Sequence, residues 1–456
     1  MLASIYFTNF KSWAKADLVC SRITGIFGTN SSGKSSLIQF LLLMKQTKDA
    51  TDRAVSLELN GDLLQLGTIK DAVHQHDETL SLDFSLSFKL EHSLSLSDPS
   101  NKKSAVIAEG NVLSISSTLD VQNKAPTATR LSYTLDHLTF ELAPKVPGGT
   151  QFELKAKGTS EAKTDFSFLR TPGRVWQLPG PVKSYGFPDQ ARTYFQNAGF
   201  LADLEAAYEV ELDHLFYLGP LRDPPKRDYL WARSRPSDVG QKGERAIEAI
   251  LAATEAGETR NLKYKSRQRP FQEMIAYWLR EMGLIESFRV AEIAEGSNRW
   301  QARVKTSVGA SEVLLTDVGF GISQVLPVIT LLQYVPEGST VILEQPEIHL
   351  HPLAQSGLAD LIIQAATHRN VQVILESHSE HLLLRLQRRI AEEAIKPDDV
   401  RLYFCDAPKG TSILTPLEVD LYGNIRNWPD KFMGDAFNEV AAAELKRIER
   451  RKQDSK

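Results

Sequence analysis

The chain has 456 residues, 42% of them hydrophobic and 24% charged, the balance of a soluble globular protein long enough for two or three domains. A formal net charge of −4 excludes a chain that binds nucleic acid through its whole surface, and leaves room only for a local basic patch. Its two cysteines, Cys20 and Cys405, exclude a disulfide framework and a cysteine-based zinc site. They suit a reducing cytosol, and the start of the chain lacks the basic end and long apolar core of a signal peptide, so a cytoplasmic protein is expected. No apolar run reaches the length of a membrane span.

Residues 2–27 read as two or three short strands, the last of them Ile23-Thr-Gly-Ile-Phe27. Gly28-Thr-Asn30-Ser31-Ser32-Gly33-Lys34-Ser35 follows at once, and Ser36 opens an apolar helical run to Met44. Strand, glycine-rich loop and helix are the context of a phosphate-binding P-loop. The glycines let backbone N–H groups turn onto the phosphates, Lys34 reaches the β- and γ-phosphates, and the Ser35 hydroxyl can hold Mg²⁺. Residues 55–70 read as a hairpin. Residues 79–96 alternate strictly, with Leu80, Leu82, Phe84, Leu86, Phe88 and Leu90 on one face, as in an antiparallel strand with one wet side. Similar runs at 105–121, 130–142 and 150–158 make a β-rich section. Residues 190–216 read as helix. Residues 240–284 read as two helices joined by a polar, basic loop, and 287–316 as strands. From 317 to 420 helices alternate with the apolar strand cores Thr340–Leu343, Val371–Leu375 and Val400–Phe404, the pattern of a parallel sheet. Residues 436–456 read as a charged helix.

Three motifs in this last section bear on chemistry. Val341-Ile-Leu-Glu344-Gln345-Pro346-Glu347 is a hydrophobic strand ending in carboxylates, which is what Mg²⁺ beside a P-loop needs. Asp317-Val-Gly319-Phe-Gly321-Ile-Ser323 opens an apolar helix, as an anion-binding N-terminus does. Val373-Ile-Leu-Glu376-Ser377-His378-Ser379 sets a histidine after another buried strand, and strand tips of one parallel sheet converge on a ligand crevice. Glu344 is thus expected to bind Mg²⁺ with Ser35, and Glu344, Glu347 and His378 to act in catalysis. Gly28, Asn30, Ser31, Ser32, Gly33, Lys34, Ser35 and Ser36, with Gly319, Gly321 and Ser323, are expected to bind ATP. His349, His351, His378 and His381 sit on separate turns, so a zinc site there is not expected. Gln39, Gln46 and Gln65 are all in range to be a water-orienting glutamine.

The order of P-loop, glycine signature, acidic strand tip and strand-end histidine resembles ABC-type ATPases, in the branch of the SMC and overcoming-lysogenization-defect proteins. The stretch Leu343 to Pro352, the stretch Glu376 to Leu386, Tyr217-Leu-Gly-Pro220-Leu-Arg222 and the closing Gly423-Asn424-Ile-Arg-Asn427-Trp428-Pro429 resemble stand-alone bacterial AAA/ABC-like ATPases, with the Septu-type anti-phage ATPases as relatives. The resemblance implies an α/β P-loop ATPase head with a mixed sheet and β-rich and helical insertions. The expected segments are 1–74 with the P-loop, 75–216 as a β-rich insertion, 217–316 as a helical and β arm, 317–430 as the second ATPase lobe and 431–456 as a tail. ATP and Mg²⁺ are the implied cofactors. A homodimer or higher oligomer is implied, because the P-loop of one subunit meets the signature of another. An effector protein from the same operon, such as a nuclease, is implied because the chain shows no acidic cluster of a Toprim nuclease. Nucleic acid is a further candidate partner through the run of Arg222, Lys226, Arg227, Tyr229, Trp231, Arg233 and Arg235, and a DNA-repair ATPase is the alternative function. One departure stands out. Where these ATPases place a catalytic glutamate after the Mg²⁺ carboxylate, this chain has Gln345, which can orient a water but cannot take its proton.

Overall fold

A computed structural model of the chain describes residues 1–98, 106–158, 166–173, 177–263, 265–429, 443–448 and 450–451. The chain opens with the antiparallel pair β1 (Leu2–Phe10) and β2 (Trp13–Val19), then runs through β3 (Ile23–Gly28) into α1 (Lys34–Asp49). Next come β4 (Leu82–Ser97), β5 (Val106–Gln122), β6 (Ala125–Leu135), β7 (Leu138–Pro144) and β8 (Phe152–Gly158). α2 (Leu201–Asp213) leads into β9 (Leu215–Leu218), and α3 (Ala246–Glu255) and α4 (Phe271–Glu281) follow. β10 (Ser287–Glu292) and β11 (Arg299–Lys305) pair with each other. The rest alternates: α5 (Phe320–Tyr334), β12 (Thr340–Glu344), α6 (Pro352–His368), β13 (Gln372–Glu376), α7 (Glu380–Ala391), β14 (Val400–Asp406) and β15 (Ile413–Leu417).

Among the described residues two large sheets form. One is seven-stranded and antiparallel, in the order β2-β1-β4-β5-β6-β7-β8. The β-rich stretch expected as an insertion from residue 75 therefore shares a sheet with β1 and β2, because β4 pairs directly with β1. The other sheet is six-stranded, in the order β15-β14-β3-β13-β12-β9, parallel except for β15 at its edge. This is the mixed sheet of an α/β P-loop head.

The parallel sheet is a wall between two cores. Side chains alternate across a strand, so Ile23 and Phe27 face one way and Ile26 the other. Ile26, Ile342, Ile374, Tyr403 and Cys405 join a core with α1, α2 and the antiparallel sheet. Ile23, Phe27, Val341, Leu343, Val373 and Leu375 join the opposite core with α3 to α7. Burial on both faces explains why these strands are continuous apolar runs, while β4 alternates. α1 is buried nearly all round, from Leu37 to Met44, because it lies between the two sheets rather than on a surface.

The structure refines several boundaries. The run at 130–142 is two strands. Asp136 and His137 form a two-residue turn between the paired Leu135 and Leu138, with Asp136 at φ 54. A two-residue turn preserves the alternation, which is why the sequence reads through it. The 190–216 helix is broken into Asp189–Tyr194 and α2. Residues 55–70 make one bridge, Asn60 to Gln65, instead of a hairpin of strands. Gln46 pins that loop, donating to Glu58 O at 2.7 Å and accepting from Leu64 N at 2.9 Å. Of the expected tail, 443–448 are helical, and 431–442 lie outside the described residues.

Phe40 fastens α1 to the antiparallel sheet. It is fully buried, stacks on Phe7 at 4.5 Å and meets Phe10 and Phe84 edge-on. Phe40→Ala is expected to lose about 3–5 kcal/mol of stability, the usual cost of a deleted core aromatic, read as a lowered urea midpoint. An unchanged midpoint would show that α1 does not depend on this contact.

Candidate nucleotide site

The loop after β3 is shaped by two glycines at which any side chain would be strained and crowded. Gly28 has φ 145, and a Cβ there would fall 2.1 Å from the Cys405 carbonyl of neighbouring β14. Gly33 has φ 91, and a Cβ there would lie 2.3 Å from Ser412 Oγ. Ser31 also takes a left-handed turn, at φ 60. Trp13, buried in the first hairpin, donates from Nε1 to Gly33 O at 3.0 Å and fixes the end of the loop. The loop, from Asn30 to Ser36, walls a cavity of about 310 Å³ completed by Ser12, Gln345, Glu376 and His378.

The polar groups suit a phosphate ester and a hard cation. Lys34 is buried, and among the described residues its ammonium donates to two carbonyls of its own loop, Gly28 O at 3.1 Å and Thr29 O at 2.7 Å. Burial pulls its pKa below the usual lysine range, with the charge of Glu376 opposing. A phosphate would supply the anion that this buried charge lacks. The buried hydroxyl of Ser32 has no hydrogen-bond partner among the described residues. Ser35 Oγ donates to Glu376 Oε2 at 2.9 Å. A hydroxyl beside carboxylates is an oxygen donor set that fits Mg²⁺.

The three glutamates are distributed differently from expectation. Glu376, at the tip of β13, lines the cavity, although the sequence pattern assigns a role only to its neighbour His378. Glu344 lies one strand further, paired in register with Glu376. It is buried, accepts from the Tyr217 hydroxyl at 2.8 Å, and is not among the groups lining the cavity. Burial, helped by the charge of Glu376, pushes its carboxyl up to about 7. Glu347 is not brought to the cavity either. Its Oε1 accepts from Ser377 Oγ at 2.8 Å and from His378 N at 2.7 Å, and its Oε2 is buried without a partner among the described residues. Burial raises its pKa, and the nearby Arg222 guanidinium opposes that. Glu347 thus holds the turn that carries His378, and a direct role on the attacking water does not follow from this geometry. His378 itself faces the cavity. Burial and the charge of Lys34 lower its pKa, which favours the neutral imidazole. Gln345 lines the cavity and sits in the left-handed region at φ 44, its N–H tied to Glu376 O at 2.8 Å.

The signature residues are elsewhere. Gly319 caps α5, and Gly319, Gly321 and Ser323 are not among the groups lining the P-loop cavity. Phe320 between them is exposed. Gly319 has open space where a Cβ would be, while at Gly321 a Cβ would come within 3.0 Å of His349 O. Ser323 is buried and donates to Phe320 O at 2.8 Å, so its hydroxyl serves its own helix. His351 accepts from Leu353 N at 3.4 Å, and no group of three or more metal-ligating side chains occurs among the described residues.

The basic run is largely neutralised. Arg227 pairs with Asp317, Arg233 with Glu255 and Arg235 with Glu258, while Trp231 is buried. Arg222 is buried and donates to the carbonyls of Glu344 and Gln345 at 3.3 and 3.4 Å, so it supports the acidic turn. No helix among the described residues is long and apolar enough to cross a membrane.

Residues 240–385 match a family described as an AAA domain, putative AbiEii toxin, Type IV TA system. Residues 395–442 match a family of unknown function, DUF3696. No curated protein matches the chain in sequence. Among solved structures it is similar to an SMC head domain from Thermotoga maritima, at 12% identity over 92% of this chain and 99% of that one, with a TM-score of 0.41. It is also similar to an Smc head with an extended coiled coil bound to the C-terminal domain of ScpA, from Pyrococcus furiosus, at 12% identity over 98% and 99% of the chains, with a TM-score of 0.42. An SmcHead bound to the C-winged helix domain of ScpA matches at 11% identity over 92% and 98%, with a TM-score of 0.44. The AAA-domain match supports an AAA/ABC-like ATPase. It starts well after the P-loop, and the fold joins the two parts by placing β3 beside β13.

Glu344 makes the site a source of pH-dependent stability. Its folded pKa, about 7, lies above the ordinary 4.5. A raised carboxyl contributes stability that is full below the unfolded pKa and is lost as pH rises through the folded one. Glu344→Gln, which keeps an acceptor for Tyr217, should therefore melt higher than the parent at pH 8 and close to it at pH 4. Thermal melts across that range check this, and an equal difference at both pH values would exclude the buried charge as the cause.

Proposed function

We propose that the chain is an ATP-binding and ATP-hydrolysing switch that forms complete sites between two copies and acts with an effector protein, such as a nuclease, in anti-phage defence. One observation carries the composite site. The cavity holds a P-loop, Glu376 and His378, but the signature helix start of the same chain lies outside it with open space ahead of Gly319. The N–H groups and positive end at the start of that helix suit a γ-phosphate held by another copy. A closed two-fold pair would supply both halves twice. The family description over 240–385 names a toxin and a toxin–antitoxin system, which supports a defence setting. The ion-paired basic run gives no support to a chain that acts on DNA by itself.

In the proposed mechanism the loop from Gly28 to Ser36 wraps the phosphates, and Lys34 leaves its loop carbonyls for the β- and γ-oxygens. Ser35 and Glu376 would hold Mg²⁺, which would supply positive charge to offset that of the phosphates, with Glu344 behind them. Gln345 orients the attacking water without taking its proton, which suits slow turnover and a long-lived ATP state. His378, its turn braced by Glu347, donates a hydrogen bond to the γ-phosphate. Gly319 and Gly321 of the second copy close the site, and ATP shifts the population toward that closed pair.

Lys34→Ala is expected to abolish ATP hydrolysis. Gly319→Asp is the matching signature variant, since aspartate is a favoured helix cap and sets an anion where the γ-phosphate should arrive. Each variant alone should be inactive. Mixed, they rebuild one site per heterodimer and should recover up to about half of the parental rate, because a two-fold pair has two equivalent sites. A parent that hydrolyses ATP as a strict monomer would reject the composite site.

A further inference from the structure

The strand order gives Glu376 a place that the acidic motif around Glu344 had claimed. β13 lies between β3, which carries the P-loop, and β12, which carries Glu344. Neighbouring strands stand about 4.8 Å apart, so Glu344 starts roughly two spacings from the P-loop strand and Glu376 one. The side chains follow this order. Glu376 receives the Ser35 hydroxyl at 2.9 Å, and Glu344 is turned to Tyr217. Among the described residues Glu376 is the one carboxylate that lines the cavity.

The direction of the Ser35 hydrogen bond adds a second argument. The hydroxyl can ligate a cation only through its oxygen lone pairs, so its proton must point to another acceptor. Glu376 is that acceptor in the structure, and it leaves the lone pairs of Ser35 free. The carboxylate also brings negative charge to the cavity beside Lys34, and its main chain is locked by the N–H of Gln345. Partners that orient a ligating group in this way commonly set metal affinity by a factor of about 10–100.

We propose that Glu376 is the principal carboxylate of the cation site, holding Ser35 in its ligating orientation and supplying the charge next to it, with Glu344 in a supporting place behind. This rests on the ATP-binding function proposed above. Its consequence is a cation site built from two non-adjacent stretches, the P-loop and the Glu376-Ser-His378 turn. The same turn then carries both the metal's carboxylate and the histidine of the γ-phosphate.

The test separates metal from nucleotide. Binding of a fluorescent ATP analogue is measured in EDTA and in Mg²⁺, and Mn²⁺ affinity is read by electron paramagnetic resonance with a non-hydrolysable ATP analogue present. Glu376→Gln keeps an acceptor for Ser35 but loses the charge. It should retain metal-free nucleotide affinity, which also reports that the site is folded, and should weaken Mn²⁺ binding about 10-fold or more. Glu344→Gln should weaken it less than about 3-fold, in keeping with a place outside the cavity. Glu376→Asp, which restores the charge on a shorter arm, should recover part of the loss and guards against a misfolded glutamine variant. Parental Mn²⁺ affinity in Glu376→Gln, or a larger loss in Glu344→Gln, overturns the proposal while leaving ATP binding intact. A parent that binds no nucleotide with or without metal overturns instead the function on which it rests.

Discussion

A parallel sheet buried on both faces is the constraint from which the rest follows. Burial on both sides forces its strands to be apolar throughout, so polar chemistry can appear only at their ends. The strands run parallel, so their carboxyl ends gather on one edge. Gly28, Glu344 and Glu376 are all last residues of such strands. The site is thus the place where a greasy wall runs out and the chain is free to turn.

That edge carries an electrostatic burden. Glu344, Glu347 and Glu376 are all buried, and the cations around them are Lys34 and Arg222. Burial raises all three carboxyls, the charge of Glu376 raises Glu344 further, and that of Glu347 raises Glu376. Buried charges without full partners destabilise a fold, and they persist where a ligand restores the balance. The backbone is strained at the same point, with Gln345 and His349 in left-handed conformations. Stability is given up locally where a cation and phosphates fit.

The acidic turn also ties the functional pieces into one unit. Glu347 holds the His378 turn through Ser377 Oγ and His378 N. Arg222 braces the carbonyls of Glu344 and Gln345 from the strand-end loop after β9. His349 lies against the signature helix start, its carbonyl close to Gly321 and its ring 6.4 Å from that of Phe320. A shift of the turn would therefore be felt at the exposed start of α5. The closing motif serves structure instead. Gln387 of α7 donates to Gly423 O at 2.8 Å, and Asp420 caps the turn through Tyr422 N and Asn424 N.

The P-loop, the α/β class and the apolar strands were legible in the sequence, because each depends on local pattern: glycine spacing, helical run, and burial on both faces. Positions of strands from 79 onward were legible for the same reason, since alternation survives a two-residue turn such as Asp136-His137. Which strand tip meets Ser35 was not. Glu344 and Glu376 end equally apolar strands and look alike in sequence, and only the insertion of β13 between β3 and β12 separates them. Nor could the sequence show that Glu347 faces inward to His378 or that the arginines from 227 to 235 find acidic partners, since those contacts join residues up to 90 positions apart. Local patterns fix the elements, but the order of strands and the pairing of charges are settled by how the two cores pack against the shared wall.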